Sequence, residues 1–208
     1  MPENLRYEII PATQMLSQLR QTRLMGHGQP NIYKNATLEI REQVDPNQLI
    51  PAQRYVLKTD FQRIKALYYL FQQQGIDIFA LQGGLFFWYQ ETGPIPLLPP
   101  IVEASVEKNG EIVLLINDGM HRIYTARQLG KRINIVLVRN VPIEYPYYAY
   151  PLEKGWQDVV ELEALTEDFV KKYYRDKENY KALFRNFNEL FPDIQKQRPK
   201  IKNGLYST

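Results

Sequence analysis

Apolar residues recur along this 208-residue chain with two different periods, and the changes of period mark out its elements. Up to about residue 28, Met15, Leu16, Leu19 and Leu24 stand at near-helical spacing. GHGQPN at 26–31 follows as a loop, by its glycines and proline. Residues 37–44 alternate as a strand does, with Leu38 and Ile40 on one face and Glu39 and Arg41 on the other, until Asp45-Pro46-Asn47 breaks the run. Phe61, Ile64, Leu67, Tyr68 and Phe71 then share one helical face, with Thr59 or Asp60 as the expected N-cap and Gly75 just past the end. GGLFFWYQ at 83–90 reads as a strand or a buried extended segment. The four prolines of 93–100 keep that stretch extended rather than helical.

Residues 101–106 and 111–116 are β-prone and flank Lys108-Asn109-Gly110, and an Asn-Gly turn between such runs predicts a hairpin. The second run ends in Asn117-Asp118-Gly119. A helical pattern follows, opened by Met120, His121 and Arg122, carrying Ile123, Ala126 and Leu129 on one side and closed by Gly130. Residues 133–138 form another apolar strand. Beyond Gly155 the spacing predicts helix to about residue 191 in two or three pieces, and the polar, basic tail KQRPKIKNGLYST is expected to fray.

Composition narrows the classes. A hydrophobic share of 44% and a charged share of 24% suit a globular protein with a real core. A net charge of +3 is too mild to imply nucleic acid by itself. The absence of cysteine removes disulfides, thiolate nucleophiles and cysteine metal sites. MPENLRYEII lacks a signal-peptide core and no apolar run reaches spanning length, so the expectation is a cytoplasmic protein with no membrane partner.

Chemistry concentrates at 117–122. A helix that starts directly after a strand presents unpaired N–H groups and a partial positive charge, a natural seat for an anion such as phosphate. His121 and Arg122 add side-chain donors to that place.

The hairpin, the DGMHR turn, the helix ending in glycine and the IVLV strand resemble the core of the ParB/sulfiredoxin-like superfamily. VDPNQLIPAQRYV at 44–56 is similar to the opening of ParB N-terminal domains, the 60–74 helix stands where theirs does, and Pro99-Pro100-Ile101-Val102 matches the strand before their hairpin. The resemblance covers about residues 38–142. It implies an α+β fold: a small mixed sheet flanked by helices over 37–150, an N-terminal helical extension over 1–36, and a C-terminal helical segment with a basic tail over 151–208. It also implies nucleotide binding, with the phosphates against Asp118, Gly119, Met120, His121 and Arg122 and with ATP or CTP and Mg²⁺ as cofactors. A phosphotransferase or NTPase acting on a small-molecule or protein hydroxyl is one consequence. The alternative is a ParB-like nucleic-acid-associated protein, DNA-binding or a nuclease, of a mobile element or defence system. Sulfiredoxin chemistry is excluded, because Met120 stands where that turn needs cysteine. A partition clamp is disfavoured, since 156–191 shows no helix-turn-helix pattern with a basic recognition face.

Individual residues carry two readings each. Asp118 either caps the helix or serves as a Mg²⁺ ligand or as a base toward a hydroxyl. Gly119 allows close approach of a phosphate, or only a tight turn. His121 is a packed helix residue or a catalytic and phosphate-binding one. Arg122 binds phosphate or pairs with Glu103 or Glu107. Glu103 is a solvent-facing strand residue or the catalytic acidic partner that activates a hydroxyl. Arg127, Lys131, Arg132 and Arg139 read best as a solvated face, and Tyr145, Tyr147, Tyr148 and Trp156 as a loop packed over the sheet rather than a platform for a base. Two histidines, with His27 in a distant loop, argue against a histidine-rich metal site.

Overall fold

A computed structural model describes residues 5–89 and 93–191. The expected basic tail lies outside the described residues, as does Gln90 of the 83–90 segment. The central sheet is built from β2 (Thr37–Val44), β6 (Ile101–Val106), β7 (Ile112–Asp118) and β8 (Ile133–Arg139). A strand β1 (Leu5–Ile10) and a helix α1 (Ala12–Leu19) precede them; β3 (Tyr55–Leu57), α2 (Lys58–Gln72), β4 (Gly84–Tyr89) and β5 (Ile95–Leu97) intervene; α3 (Met120–Gln128) joins β7 to β8, and β9 (Val160–Leu162) follows. The fold is α+β, as expected.

The sheet order is β2-β8-β6-β7, with β8 and β6 parallel and the outer pairs antiparallel. β7 to α3 to β8 is therefore a crossover, which places the α3 N-terminus at the end of the sheet where β7 stops. β8 is buried on both faces, which explains its unbroken apolar run. Ile133, Ile135 and Leu137 pack with Tyr68, Phe71, Ile123 and Ala126 beneath α2 and α3. Val136 and Val138 face the other way, into a second cluster with Met15, Leu19, Tyr33, Leu38 and Phe191. α2 and α3 cover one face, and α1 with the C-terminal segment covers the other. Among the described residues no helix is long and apolar enough to cross a membrane.

Two expectations are corrected. α2 starts at Lys58, with Leu57 as N-cap and no capping side chain, so neither Thr59 nor Asp60 caps it. β3 runs straight into α2 because it pairs in parallel with β9, a partner about a hundred residues away. Asp60 instead sits in the first turn and binds Arg63 at 2.6 Å.

The second correction concerns 155–191, which contain no α-helix. They hold 3₁₀ turns at Gly155–Asp158, Tyr180–Leu183 and Phe187–Glu189, together with β9. Their backbone groups bond to distant segments: Tyr150 N–H to the Tyr173 carbonyl, Arg175 N–H to Tyr148, Met25 N–H to Phe184 and Asn186 N–H to Arg23. With those groups satisfied from outside, an internal helical ladder is not required. Apolar residues such as Leu183, Phe187 and Leu190 anchor this strap to the sheet instead of lining a helix.

Candidate functional site

At the end of β7 the ladder slips by one residue. Ile101 is opposite Asp118 while Val102 is opposite Ile116, which leaves Asn117 as an extra residue. Such an irregularity re-aims neighbouring side chains. Asn117 turns inward, and its Nδ2 donates to Glu103 Oε1 at 2.6 Å and to the Tyr33 hydroxyl at 2.7 Å. Asp118 is left at the surface, its side chain half exposed. Gly119 is the N-cap of α3 with φ +85°, and no side chain caps the helix, so Asp118 does not act as its cap.

The glycine at 119 is required twice over. Its φ lies in the left-handed region, and a Cβ there would meet Pro100 Cβ at 2.8 Å and Arg122 Nη2 at 2.9 Å. Gly119→Ala is expected to destabilise the fold by about 2–3 kcal/mol. A shift of the urea midpoint at unchanged slope checks this, and an unshifted midpoint would mean that the turn relaxes freely.

The turn spreads its residues in different directions. Met120 is buried in the core beneath α3. His121 faces α2, with Nε2 3.3 Å from Asp60 Oδ2. Arg122 is 9% exposed. Its Nη2 lies 3.4 Å from Asp118 Oδ2, a long contact, and its buried Nη1 has no hydrogen-bond partner among the described residues. Burial pulls the guanidinium below its ordinary pKa, and the charge of Asp118 offsets part of that. Neither Glu103 nor Glu107 reaches it. Glu107 belongs to Arg175, which contacts both of its oxygens at 2.7 Å.

Glu103 is 2% exposed, so it is no solvent-facing strand residue. Its Oε1 accepts from the Tyr33 hydroxyl at 2.5 Å, from Asn117 and from Arg185 Nε at 2.9 Å; its Oε2 accepts from Arg185 Nη2 at 3.0 Å. Arg185 also donates to the carbonyls of Tyr145, Pro146 and Leu183. Burial alone would lower its pKa, but the charge of Glu103 holds it above the ordinary value. Burial, reinforced by Glu103, keeps the Tyr33 hydroxyl well above its usual range and hence a donor. Sequence reasoning missed Arg185 and Tyr33. They come from positions 82 and 70 residues away from Glu103, and no local spacing signals such a meeting.

Asp118 and Arg122 line a cavity at the mouth of α3 together with Pro96, Leu98, Ile101, Phe187, Leu190 and Phe191. Its interior is small, about 40 Å³, and it opens to solvent. The structure thus brings Asp118 and Arg122 together at a cavity beside Gly119, with His121 and Met120 directed elsewhere and Glu103 one layer beneath Asn117. Three basic residues of the predicted solvated face have side-chain or carbonyl partners: Arg127 in Asn47, Arg132 in the Gln43 carbonyl and Arg139 in Glu39. Tyr147 is buried and Trp156 donates to the Pro46 carbonyl, which is loop packing. Among the described residues no group of three His, Cys, Asp or Glu side chains is placed to hold a metal ion.

A mixed four-stranded sheet, an Asp-Gly turn into a short helix and a buried arginine at its mouth define a small α+β domain of the ParB-like kind. The ParB CE domain family matches residues 14–160, about 70% of the chain, and the protein belongs to that family. No curated protein matches it.

Proposed function

We propose that this domain binds a nucleoside triphosphate, ATP or CTP, with its phosphates at the mouth of α3. The observation that carries the reading is Arg122 Nη1. A guanidinium group held nine-tenths buried, with one long contact to a half-exposed carboxylate, is costly unless an anion completes its bonding. The small cavity opens to solvent beside Arg122, where a phosphate oxygen can approach with the rest of the nucleotide outside, and α3 supplies N-terminal amides with the positive end of the helix dipole.

Arg122 then holds a phosphate oxygen through Nη1 and Nη2. Gly119, with no Cβ, lets Pro100 and the Arg122 guanidinium close against the turn. The donor set suits a Mg²⁺ that arrives on the nucleotide and takes Asp118 as a single protein carboxylate, because Mg²⁺ keeps waters and substrate phosphates as its other ligands. That ion would neutralise charge on the transferred phosphoryl group. Where no metal ion occupies it, Asp118, exposed at the rim, serves instead as the base that accepts a proton from an acceptor hydroxyl in a phosphotransferase or NTPase reaction. Glu103 serves this reading as the anchor beneath Asn117, since its oxygens are already engaged by three residues. His121, paired with Asp60, orients α3 against α2.

A thermal-shift series over nucleoside triphosphates, with and without magnesium, tests the proposal. One nucleotide at about 100 times its Kd should stabilise the fold by about 2.7 kcal/mol. Asp118→Asn should keep that stabilisation and lose turnover; full turnover in the variant would remove Asp118 from the chemistry. No shift with any nucleotide, coupled with binding of DNA that falls steeply with salt, would instead make the turn a grip for a backbone phosphate.

A further inference from the structure

Arg122 Nη1 is sealed from solvent as well as lacking a partner among the described residues, so an anion that bonds it must first displace part of the cavity wall. The interior of about 40 Å³ has room for a few waters, not for a chain of phosphates. The wall is closed over the donor that the nucleotide needs.

Most of that wall is built into regular structure. Ile101 pairs with Asp118 on β7 and with Val136 on β8. Pro96 stands opposite Phe86 in the β4–β5 ladder, and Leu98 follows directly after β5. Arg122 belongs to α3, which packs into the core through Ile123 and Ala126. The remaining lining residues, Phe187, Leu190 and Phe191, come from the far end of the strap.

The strap is fastened in two different ways along its length. Up to Asn186, backbone bonds pin it to distant residues: Gly26 N–H to the Ala182 carbonyl, Met25 N–H to Phe184 and Asn186 N–H to Arg23. Arg185 adds its ion pair with Glu103 and its bonds to the carbonyls of Tyr145 and Pro146. Past that anchor, the Leu190 N–H bonds back to Phe187 within its own 3₁₀ turn. Among the described residues no backbone hydrogen bond ties 188–191 to a distant segment. Side-chain packing holds the segment: Phe191 meets Phe86 edge-on at 5.0 Å, and Phe187 lies 6.2 Å from Tyr33, centroid to centroid. A segment without ladder bonds opens locally at lower cost than the ladders beside it.

We propose that residues 187–191 form a gate over the Arg122 cavity, hinged after the Arg185 anchor and regulating nucleotide entry. Closed, Phe187, Leu190 and Phe191 fill the space beside the guanidinium; open, Nη1 meets the phosphate. The inference rests on the nucleotide-binding reading above, and apparent affinity is reduced by the fraction of molecules that are open. The gate lies beyond the residues 14–160 that the family matches.

Stopped-flow mixing of the intact chain with ATP and with CTP, each with Mg²⁺, tests the gate. Opening before binding makes the observed rate level off as nucleotide concentration rises. In L190A, which trims the gate and leaves Asp118 and Arg122 in place, the plateau should rise by about tenfold and the apparent Kd should fall. A plateau unmoved in L190A, or a linear rise of the same slope in both proteins, overturns the gate while leaving the nucleotide reading intact. Absence of nucleotide binding by both proteins overturns that reading, and the gate with it.

Because the chain has no cysteine, thiol labelling decides the matter should L190A fail to fold. The thiol of L190C should react with a disulfide reagent at least about a hundredfold faster than that of V138C, in the doubly covered strand β8. Equal rates would mean that the segment opens only when the whole domain unfolds, and they overturn the proposal.

Discussion

Replacing Glu103 with alanine is expected to lower stability by about 3–5 kcal/mol. The change leaves the Arg185 guanidinium, whose side chain is fully buried, without the carboxylate that chelates it. It also removes the acceptor shared by Tyr33 and Asn117. The size of the effect reflects the stranded charge more than the worth of the ion pair. A companion experiment separates the two: Glu103→Met combined with Arg185→Met should be far less damaging than either single change, because an apolar pair leaves nothing unsatisfied. Chemical denaturation of the three variants measures the coupling. Additive losses would mean that Arg185 is held chiefly by the carbonyls of Tyr145, Pro146 and Leu183.

Arg122→Met is expected to do the opposite to the fold and the reverse of good to the site. Without ligand, methionine should leave stability unchanged or raise it by about 1 kcal/mol, since an under-paired buried guanidinium gives way to an apolar chain of similar length. The nucleotide-dependent rise in melting temperature should vanish, a loss of affinity of more than about tenfold. Thermal denaturation with and without nucleotide reads both effects on the same sample. A variant that unfolds easily yet still responds to nucleotide would make Arg122 a structural residue. The contrast with Glu103 is informative because both positions carry buried charge, one answered and the other waiting.

What could be read from the chain alone follows the range of the interactions. β2, β6, β7, β8 and α3 were legible because alternation, an Asn-Gly turn and a strand-to-helix glycine are local signals. Asp118 and Arg122 emerged from the same local logic, and they do meet at a cavity. Glu103 was misjudged as to exposure because its partners Tyr33 and Arg185 are remote in sequence, so alternation in β6 gave no warning of a buried acid. The strap failed for the related reason that its apolar spacing mimics a helix, while its amides and carbonyls find partners in other parts of the chain. The start of α2 was displaced because a parallel strand partner outweighed the local capping preference.

The anchoring of one acid by both the turn and the strap has a consequence for the order of events during synthesis. The four-stranded sheet can be complete once Arg139 has been added, well before Arg185 exists to neutralise Glu103. Until then the nascent domain holds at its centre a carboxylate answered only by the neutral donors Tyr33 and Asn117. The cavity beside Asp118 is completed just as late, since Phe187, Leu190 and Phe191 form part of its wall.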